Sequence, residues 1–164
     1  MTLHCINERW PLPASLILIA PVLDNTGRLW HQKPHAPWLA RETMASFRAN
    51  YLPDLRDYQA WAASPGLAPD EFFRGPFPTT HIMAMGEDLL EPEATEFGCR
   101  LRKFGHAVTV TRYVGLPHQA FSMSKLFPEI LEDLEAALRH DFGAGVHPPP
   151  TAIVEAYIKT IRSV

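Results

Sequence analysis

Three short apolar runs divide the chain, and each ends at a turn-forming segment. They occupy residues 16–23, 79–85 and 107–114, with the sequences LILIAPVL, TTHIMAM and AVTVTRYV. A continuous apolar run of about four to eight residues bounded by turns is typical of a strand that is buried on both faces of a parallel sheet. The pattern therefore predicts three buried strands.

Helical periodicity appears after each of these runs. The predicted helices occupy residues 38–52, 92–104, 128–142 and 151–164. Apolar residues recur there at spacings of about three and four, which is the period of one helix face. The apolar face of the first helix contains Leu39, Ala40, Thr43, Met44, Phe47 and Tyr51. The second begins at Pro92 and ends before Gly105, with acidic residues near its start and basic residues near its end, as the helix dipole favours.

The alternation of strands and helices is typical of a parallel α/β sheet, in which functional residues gather beyond the carboxyl ends of the strands. Asp88 follows the second predicted strand and His118 follows the third. A carboxylate that accepts from one imidazole nitrogen leaves the other nitrogen free to act as a general base. The alternative is that Asp88 caps a turn and His118 is an ordinary loop histidine, and the spacing alone leaves both interpretations open.

Composition narrows the class of protein. The 164 residues carry 18 acidic and 15 basic side chains, and 46% of them are hydrophobic, which fits one globular domain. A net charge of -3 does not suggest the positively charged surface that nucleic-acid binding requires. The longest apolar run has eight residues, whereas a membrane-spanning helix needs about 20. Two cysteines far apart in sequence form neither a disulfide framework nor a zinc site, so we expect a cytoplasmic protein.

Other nucleophiles and metal ligands are weaker candidates. We expect Cys99 to be a buried structural thiol, and Ser122 and Ser124 to lead into the third helix. A proline between His31 and His35 prevents the helix that would align both on a metal ion, so we expect no metal site. Structural roles in the core, at a strand edge or in a cap are expected for His81, His106, Met83, Met85, Phe72 and Phe73.

Four short motifs follow one another along residues 13–142. They are APVLD at 20–24, SPGLA at 64–68, GEDLL at 86–90 and YVGLPH at 113–118. In order and spacing they resemble the C-terminal half of the hormone-sensitive-lipase-like (α/β-hydrolase-3) esterase family. The resemblance implies a partial α/β-hydrolase fold with about three parallel strands and flanking helices, in which the N-terminal half of the sheet is missing.

The resemblance also implies roles for the two candidate residues. Asp88 matches the family's triad acid and His118 its triad base, acting without a cofactor on carboxylic esters or other small apolar acyl substrates. Leu89 stands where the family usually has proline, and Gln119 and Ala120 follow the histidine where it usually has glycine and phenylalanine. The G-x-S-x-G elbow and the HGG-type oxyanion loop do not occur in the 164 residues, so we expect the isolated chain to be inactive.

Three interpretations follow. The chain is one part of an assembled hydrolase whose second polypeptide supplies the serine, a non-catalytic binding or scaffold protein derived from the esterase fold, or a shortened version of a complete esterase. We expect residues 1–142 to form a truncated hydrolase domain with a cap-like helix near 38–52, and residues 143–164 to form a proline-linked helical extension. Because an open sheet edge pairs readily with other chains, we expect a homodimer or a partner chain to cover it.

Overall fold

The computed structural model describes residues 1–123 and 125–143, without the side chains of residues 142 and 143. Three parallel strands form one sheet in the order β1, β2, β3. They are β1 (Ser15–Ile19), β2 (Thr79–Met85) and β3 (Val108–Tyr113). Leu18 lies opposite Ile82, which in turn lies opposite Val110. The predicted α/β fold with three parallel strands is confirmed.

Within the described residues the chain forms four α-helices and five short 3₁₀ helices. The α-helices are α1 (Thr2–Glu8), α2 (Arg41–Tyr51), α3 (Glu91–Lys103) and α4 (Pro128–Gly143). The 3₁₀ helices are Trp30–Gln32, Leu55–Gln59, Pro65–Leu67, Asp70–Phe73 and His118–Met123. Helices α2, α3 and α4 confirm three of the predicted helices with shifted ends, whereas α1 lies where the sequence predicts no element. The helix predicted for 151–164 falls outside the described residues.

Helix α3 packs against the sheet at Gly98. A Cβ at this position would collide with Cγ2 of Val110 and lie 3.4 Å from Cδ1 of Ile82, so a larger residue would hold the helix away from the sheet. Phe97 and Leu101 of the same helix are buried, as their spacing predicts. The core around them also contains Leu3, Leu23, Ala68, Phe73, Ala84 and Ala94. The absence of a side chain at Gly98 thus permits the close approach of α3 to β2 and β3.

Strand β1 is shorter and more exposed than its apolar pattern predicts. It ends at Ile19 because Ala20 adopts a left-handed conformation with φ of 43° and Pro21 has no N–H to donate. All five residues of β1 are half-buried, since among the described residues β1 pairs with β2 alone. The prediction of a strand that extends to Leu23 and is buried on both faces is therefore wrong.

Two side-chain predictions for the helices are also wrong. On the apolar face predicted for α2, Met44 is buried, but Phe47 and Tyr51 are 59% and 79% exposed. Cys99 is exposed rather than buried. It follows Gly98, and one residue along a helix turns the side chain by about 100° away from the sheet. Periodicity identifies the face of a helix but does not say what covers that face.

The chain divides into two compact units, Met1–His118 and a second that starts at Gln119. The first contains the sheet with α1, α2 and α3. The second contains α4, in which Ile130 and Leu134 are buried, as their spacing predicts. The domain boundary predicted at 142/143 stays a prediction. Within residues 1–123 and 125–143, no helix is both long and apolar enough to cross a bilayer.

Candidate functional site

Two turns meet at the carboxyl ends of β2 and β3. The N–H of Gly86 donates to the carbonyl oxygen of Tyr113 at 2.8 Å, and the N–H of Glu87 donates to that of Leu116 at 2.9 Å. A Cβ at Gly86 would lie 2.7 Å from the Tyr113 oxygen, so this close approach requires glycine. The hydrogen bonds extend the pairing of β2 with β3 beyond the sheet, and they bring the segment before Asp88 beside the turn that leads to His118.

Asp88 and His118 are joined directly. Oδ2 of Asp88 lies 2.8 Å from Nδ1 of His118, while Oδ1 of Asp88 accepts from the backbone N–H of Leu90 at 3.0 Å. The Asp88 side chain is 1% exposed and that of His118 is 27% exposed. A carboxylate only accepts, so in this contact the proton of a neutral imidazole would sit on Nδ1 and the lone pair on Nε2. The contact agrees with the predicted meeting of the two residues, and their roles as orienting acid and general base stay a prediction.

A second acid, Glu93, is buried beneath this edge of the sheet. Its side chain is on the first turns of α3, and Oε1 accepts from the backbone N–H of Leu23 at 3.2 Å. Burial is the main cause that raises the pKa of Glu93 to about 8, and the negative charges of Asp24 and Asp88 add to the rise. Glu93 is therefore protonated at neutral pH, and it ties α3 to the segment that follows β1.

Glu93 is the functional-site neighbour that sequence reasoning missed. The sequence predicts only that Glu93, like the other acidic residues near the start of the helix, interacts favourably with the helix dipole. A usable signal was nevertheless present, because Glu93 precedes Phe97 by four residues and Leu101 by eight. That spacing places the carboxyl on the same face as the core residues.

The APVLD and SPGLA motifs meet each other rather than the acid–base pair. The Oγ of Ser64 accepts from the N–H of Asn25 at 2.8 Å and donates to the carbonyl oxygen of Tyr58 at 2.7 Å. The N–H of Gly66 donates to the carbonyl oxygen of Leu23 at 2.8 Å. Ser64 is fully buried, so it braces the segment after β1 and is not placed to act as a nucleophile.

Three of the remaining candidates have structural partners. Nε2 of His106 lies 2.8 Å from the carbonyl oxygen of Phe73, which confirms the expected hydrogen-bonded role. Nδ1 of His31 lies 2.8 Å from the carbonyl oxygen of Arg28. The Oγ of Ser122 donates to the carbonyl oxygen of Gln119 at 2.7 Å, and Ser124 lies outside the described residues.

An apolar cavity of about 420 Å³ lies beside β1 within the first unit. Leu16 and Leu18 of β1, Leu3 of α1 and Phe97 of α3 contribute to its wall. Leu18 lies opposite Ile82, so the cavity is on the face of the sheet that α3 covers. The cavity therefore borders β1, the strand that pairs with β2 alone among the described residues.

Two curated proteins are similar in sequence to this chain over part of their length. An AB hydrolase superfamily protein of Schizosaccharomyces pombe is 34% identical over 112 residues, which are 65% of this chain and 33% of that protein. An esterase of Fusarium pseudograminearum is 31% identical over 105 residues, which are 63% of this chain and 32% of that protein. The chain thus spans about a third of the length of these curated relatives.

A solved structure extends the likeness to the fold. The crystal structure of carboxyl esterase 2 from the mycorrhizal fungus Tuber melanosporum matches with a TM-score of 0.66 and 25% identity, over 99% of this chain and 48% of that one. A family model described as alpha/beta hydrolase fold matches residues 1–122 of the 164, which include both turns of the site. The resemblance that the sequence motifs indicate is confirmed, and the chain belongs to the alpha/beta hydrolase fold family.

Proposed function

We propose that this chain supplies the acid and the base of a serine hydrolase that acts on carboxylic esters. The 2.8 Å contact between Oδ2 of Asp88 and Nδ1 of His118 carries the proposal. In the proposed reaction Nε2 of His118 removes the proton from a serine hydroxyl as that oxygen attacks the ester carbonyl. The imidazolium then returns the proton to the leaving alcohol, while Asp88 stabilises the positive ring.

The nucleophile is proposed to come from another polypeptide. The 164 residues contain no G-x-S-x-G sequence, and the Oγ of Ser64 and of Ser122 are engaged in hydrogen bonds to backbone carbonyl groups. The curated relatives are about three times as long as the matched segment. A nucleophile elbow and oxyanion donors outside these 164 residues would complete the chemistry proposed for Asp88 and His118.

We propose that the outer edge of β1 and the apolar cavity beside it receive this partner. An added strand that runs parallel to β1 would end at the same edge of the sheet as β2 and β3. A serine at its carboxyl end would therefore be delivered to the side on which Asp88 and His118 lie. Apolar side chains of the partner would fill the cavity near Leu16 and Leu18, which offers them an unfilled apolar wall.

The cysteines support a reducing location for the protein, which we propose to be the cytoplasm. Cys5 and Cys99 are both free thiols, and Cys99 is exposed. An exposed thiol persists in compartments that keep cysteines reduced. Cell fractionation with an antibody against the chain tests this location.

The experiment is an assay of the purified chain on a short-chain aryl ester, alone and mixed with a partner polypeptide that carries a G-x-S-x-G elbow. The same mixtures are repeated with His118→Ala and with His35→Ala as the matched control, since His35 is an exposed histidine outside the site. We expect hydrolysis in the mixture only, with loss of activity in His118→Ala and full activity in His35→Ala.

Two results would contradict the proposal in different ways. Hydrolysis by the chain alone would show that the 164 residues hold their own nucleophile. Absence of hydrolysis from a mixture in which the two polypeptides form a stable complex would favour a non-catalytic scaffold, the alternative that the sequence leaves open. Binding of an apolar ligand in the cavity beside β1 would point to the same alternative.

A further inference from the structure

Two cations from different parts of the chain hold the turn that carries Asp88. The Nζ of Lys33, which follows the 3₁₀ helix Trp30–Gln32, donates to the carbonyl oxygen of Gly86 at 2.6 Å. The Nη2 of Arg112, on β3, donates to the same oxygen at 3.2 Å. One carbonyl group at the start of the turn is therefore bound from two directions.

The same two cations also bind the residue at the other end of the turn. Nζ of Lys33 lies 3.3 Å from Oε2 of Glu91, and Nε of Arg112 lies 3.1 Å from Oε1. The hydroxyl of Thr95 donates to Oε1 of Glu91 at 3.0 Å, which fixes the carboxylate further. Gly86 precedes Asp88 by two residues and Glu91 follows it by three. The segment that carries the acid is thus anchored at both ends to Lys33 and Arg112.

Burial makes this arrangement stiffer than an ordinary surface ion pair. The side chains of Glu91 and Lys33 are only 12% and 18% exposed, whereas that of Arg112 is 44% exposed. Water and salt screen a partly buried pair less than an exposed one. The contacts of Lys33 are therefore better shielded from water than those of Arg112, which binds the same groups from the solvent side.

We propose that Lys33 and Arg112 are positioning residues that keep the Asp88 carboxylate at hydrogen-bond distance from Nδ1 of His118. Without them, the backbone from Gly86 to Glu91 keeps its own turn hydrogen bonds but loses the anchors that set its place relative to β3. The bond from Nδ1 to Oδ2 would then open more often, and the imidazole would no longer be held in one orientation. The effect on the contact between Asp88 and His118 does not depend on the proposed function. Only the statement that this contact serves catalysis rests on that function.

The experiment replaces both cations in the full chain by methionine, as Lys33→Met, Arg112→Met and the double variant, which keeps apolar stems and removes the charges. Arg56→Met is the matched control, since Arg56 forms an exposed ion pair with Asp54 away from the turn. The readouts are the NMR signal of the His118 Nδ1 proton, the amide signal of Leu90 and the midpoint of thermal unfolding. Asp88→Asn provides the reference spectrum of a chain without the carboxylate.

We expect the double variant to lose the His118 Nδ1 proton signal through faster exchange with water, with a shifted Leu90 amide signal and an otherwise folded spectrum. Each single variant should show a smaller increase in that exchange rate. If the double variant does not fold, the single variants are compared with the unaltered chain to test the proposal. An unchanged Nδ1 proton and Leu90 amide in folded variants would overturn the proposal. None of these readouts needs ester hydrolysis, so failure of the proposed function would be seen separately.

Discussion

Oδ2 of Asp88 lies 2.8 Å from Nδ1 of His118, and the acid is 1% exposed where the imidazole is 27% exposed. This difference in burial suits the proposed roles of Asp88 as the orienting acid and His118 as the general base. A buried carboxylate that also accepts from the Leu90 N–H is held in one place, whereas a partly exposed ring can present Nε2 to a substrate or a partner. The geometry within the first unit therefore supports the proposal that Asp88 orients the ring and that His118 accepts the proton.

Asp88→Asn is expected to lower kcat/KM of the assembled hydrolase by about 10⁴-fold, the effect known for the equivalent change in a serine protease triad. The amide can donate to Nδ1, which favours the tautomer with the proton on Nε2 and removes the general base. Steady-state kinetics of the mixture with its partner measure the effect. Asp54→Asn, at an exposed ion pair, is the control and should keep full activity.

A mutant with near-normal kcat/KM in a correctly assembled complex would show that Asp88 is a turn cap rather than a triad acid. The affinity of the two polypeptides is measured in parallel by titration. This measurement separates a loss of chemistry from a loss of assembly.

Glu93 is expected to make the chain less stable as the pH rises. Its pKa is about 8 in the folded chain, against an ordinary value of 4.5 for a glutamate exposed to water. Between these pH values the folded state therefore holds a proton that the unfolded state has released. The free energy of unfolding should then fall with rising pH, by up to about 1.4 kcal/mol per pH unit from this group. Below pH 4.5 both states are protonated and the contribution is constant.

Glu93→Gln tests this because the amide is a neutral side chain of the same shape. Urea denaturation at several pH values from acid to alkaline should show a flatter profile than the unaltered chain, with the variant more stable at the alkaline end. Glu132→Gln, an exposed position on α4, is the control and should leave the profile unchanged. Parallel profiles for the unaltered chain and Glu93→Gln would mean that Glu93 is ionised at neutral pH.

How much the sequence predicts depends on how many neighbours each element has. Strand β2 is predicted residue for residue at Thr79–Met85, because a central strand needs an apolar run along its whole length. β1 has a similar run but ends at Ile19, where Ala20 turns left-handed. The short α1 has no side-chain cap and no charged residues that favour its dipole, so no local signal predicts it.

In the candidate site, too, some contacts could be predicted from the sequence and others could not. Asp88 and His118 could be predicted to meet, because the carboxyl ends of neighbouring parallel strands share one edge. The anchoring by Lys33 could not, since Lys33 and Gly86 are 53 residues apart and no periodicity relates them. The spacing of Glu93 places it on the core face of α3, but its contact with Leu23, which is 70 residues away, could not be predicted either. Long-range polar contacts are set by the final packing and leave no pattern in the local sequence.

Gly98→Ala is expected to destabilise the chain by about 1–2 kcal/mol. Overpacking at a tight contact costs about 1–3 kcal/mol, and the better helix propensity of alanine offsets up to about 1 kcal/mol of it. The added methyl would meet Cγ2 of Val110, a β-branched side chain that cannot easily turn aside. Urea denaturation measures the change in the free energy of unfolding.

The same substitution, Gly98→Ala, is also made in a chain that carries Val110→Ala. Removal of Cγ2 should abolish the clash, so Gly98→Ala should then be neutral or stabilising, with a coupling energy of about 1 kcal/mol or more in the double-mutant cycle. If the two effects simply add, α3 is not held against the sheet by this contact.

A fluorophosphonate probe is expected to label no serine of the isolated chain. Ser64 is fully buried with its Oγ bonded to Asn25 and Tyr58, and the Oγ of Ser122 is bonded to Gln119, so neither has a base positioned to activate it. In the mixture with its partner, the label should appear on the partner's elbow serine. His118→Ala should reduce the labelling rate by about 10³-fold or more, because the serine loses its general base.

Peptide mapping by mass spectrometry locates the label. Ser64→Ala should leave the labelling of the mixture unchanged at equal complex concentration, since it removes hydrogen bonds outside the acid–base pair. Label on any serine among the 164 residues would show that the chain carries its own nucleophile.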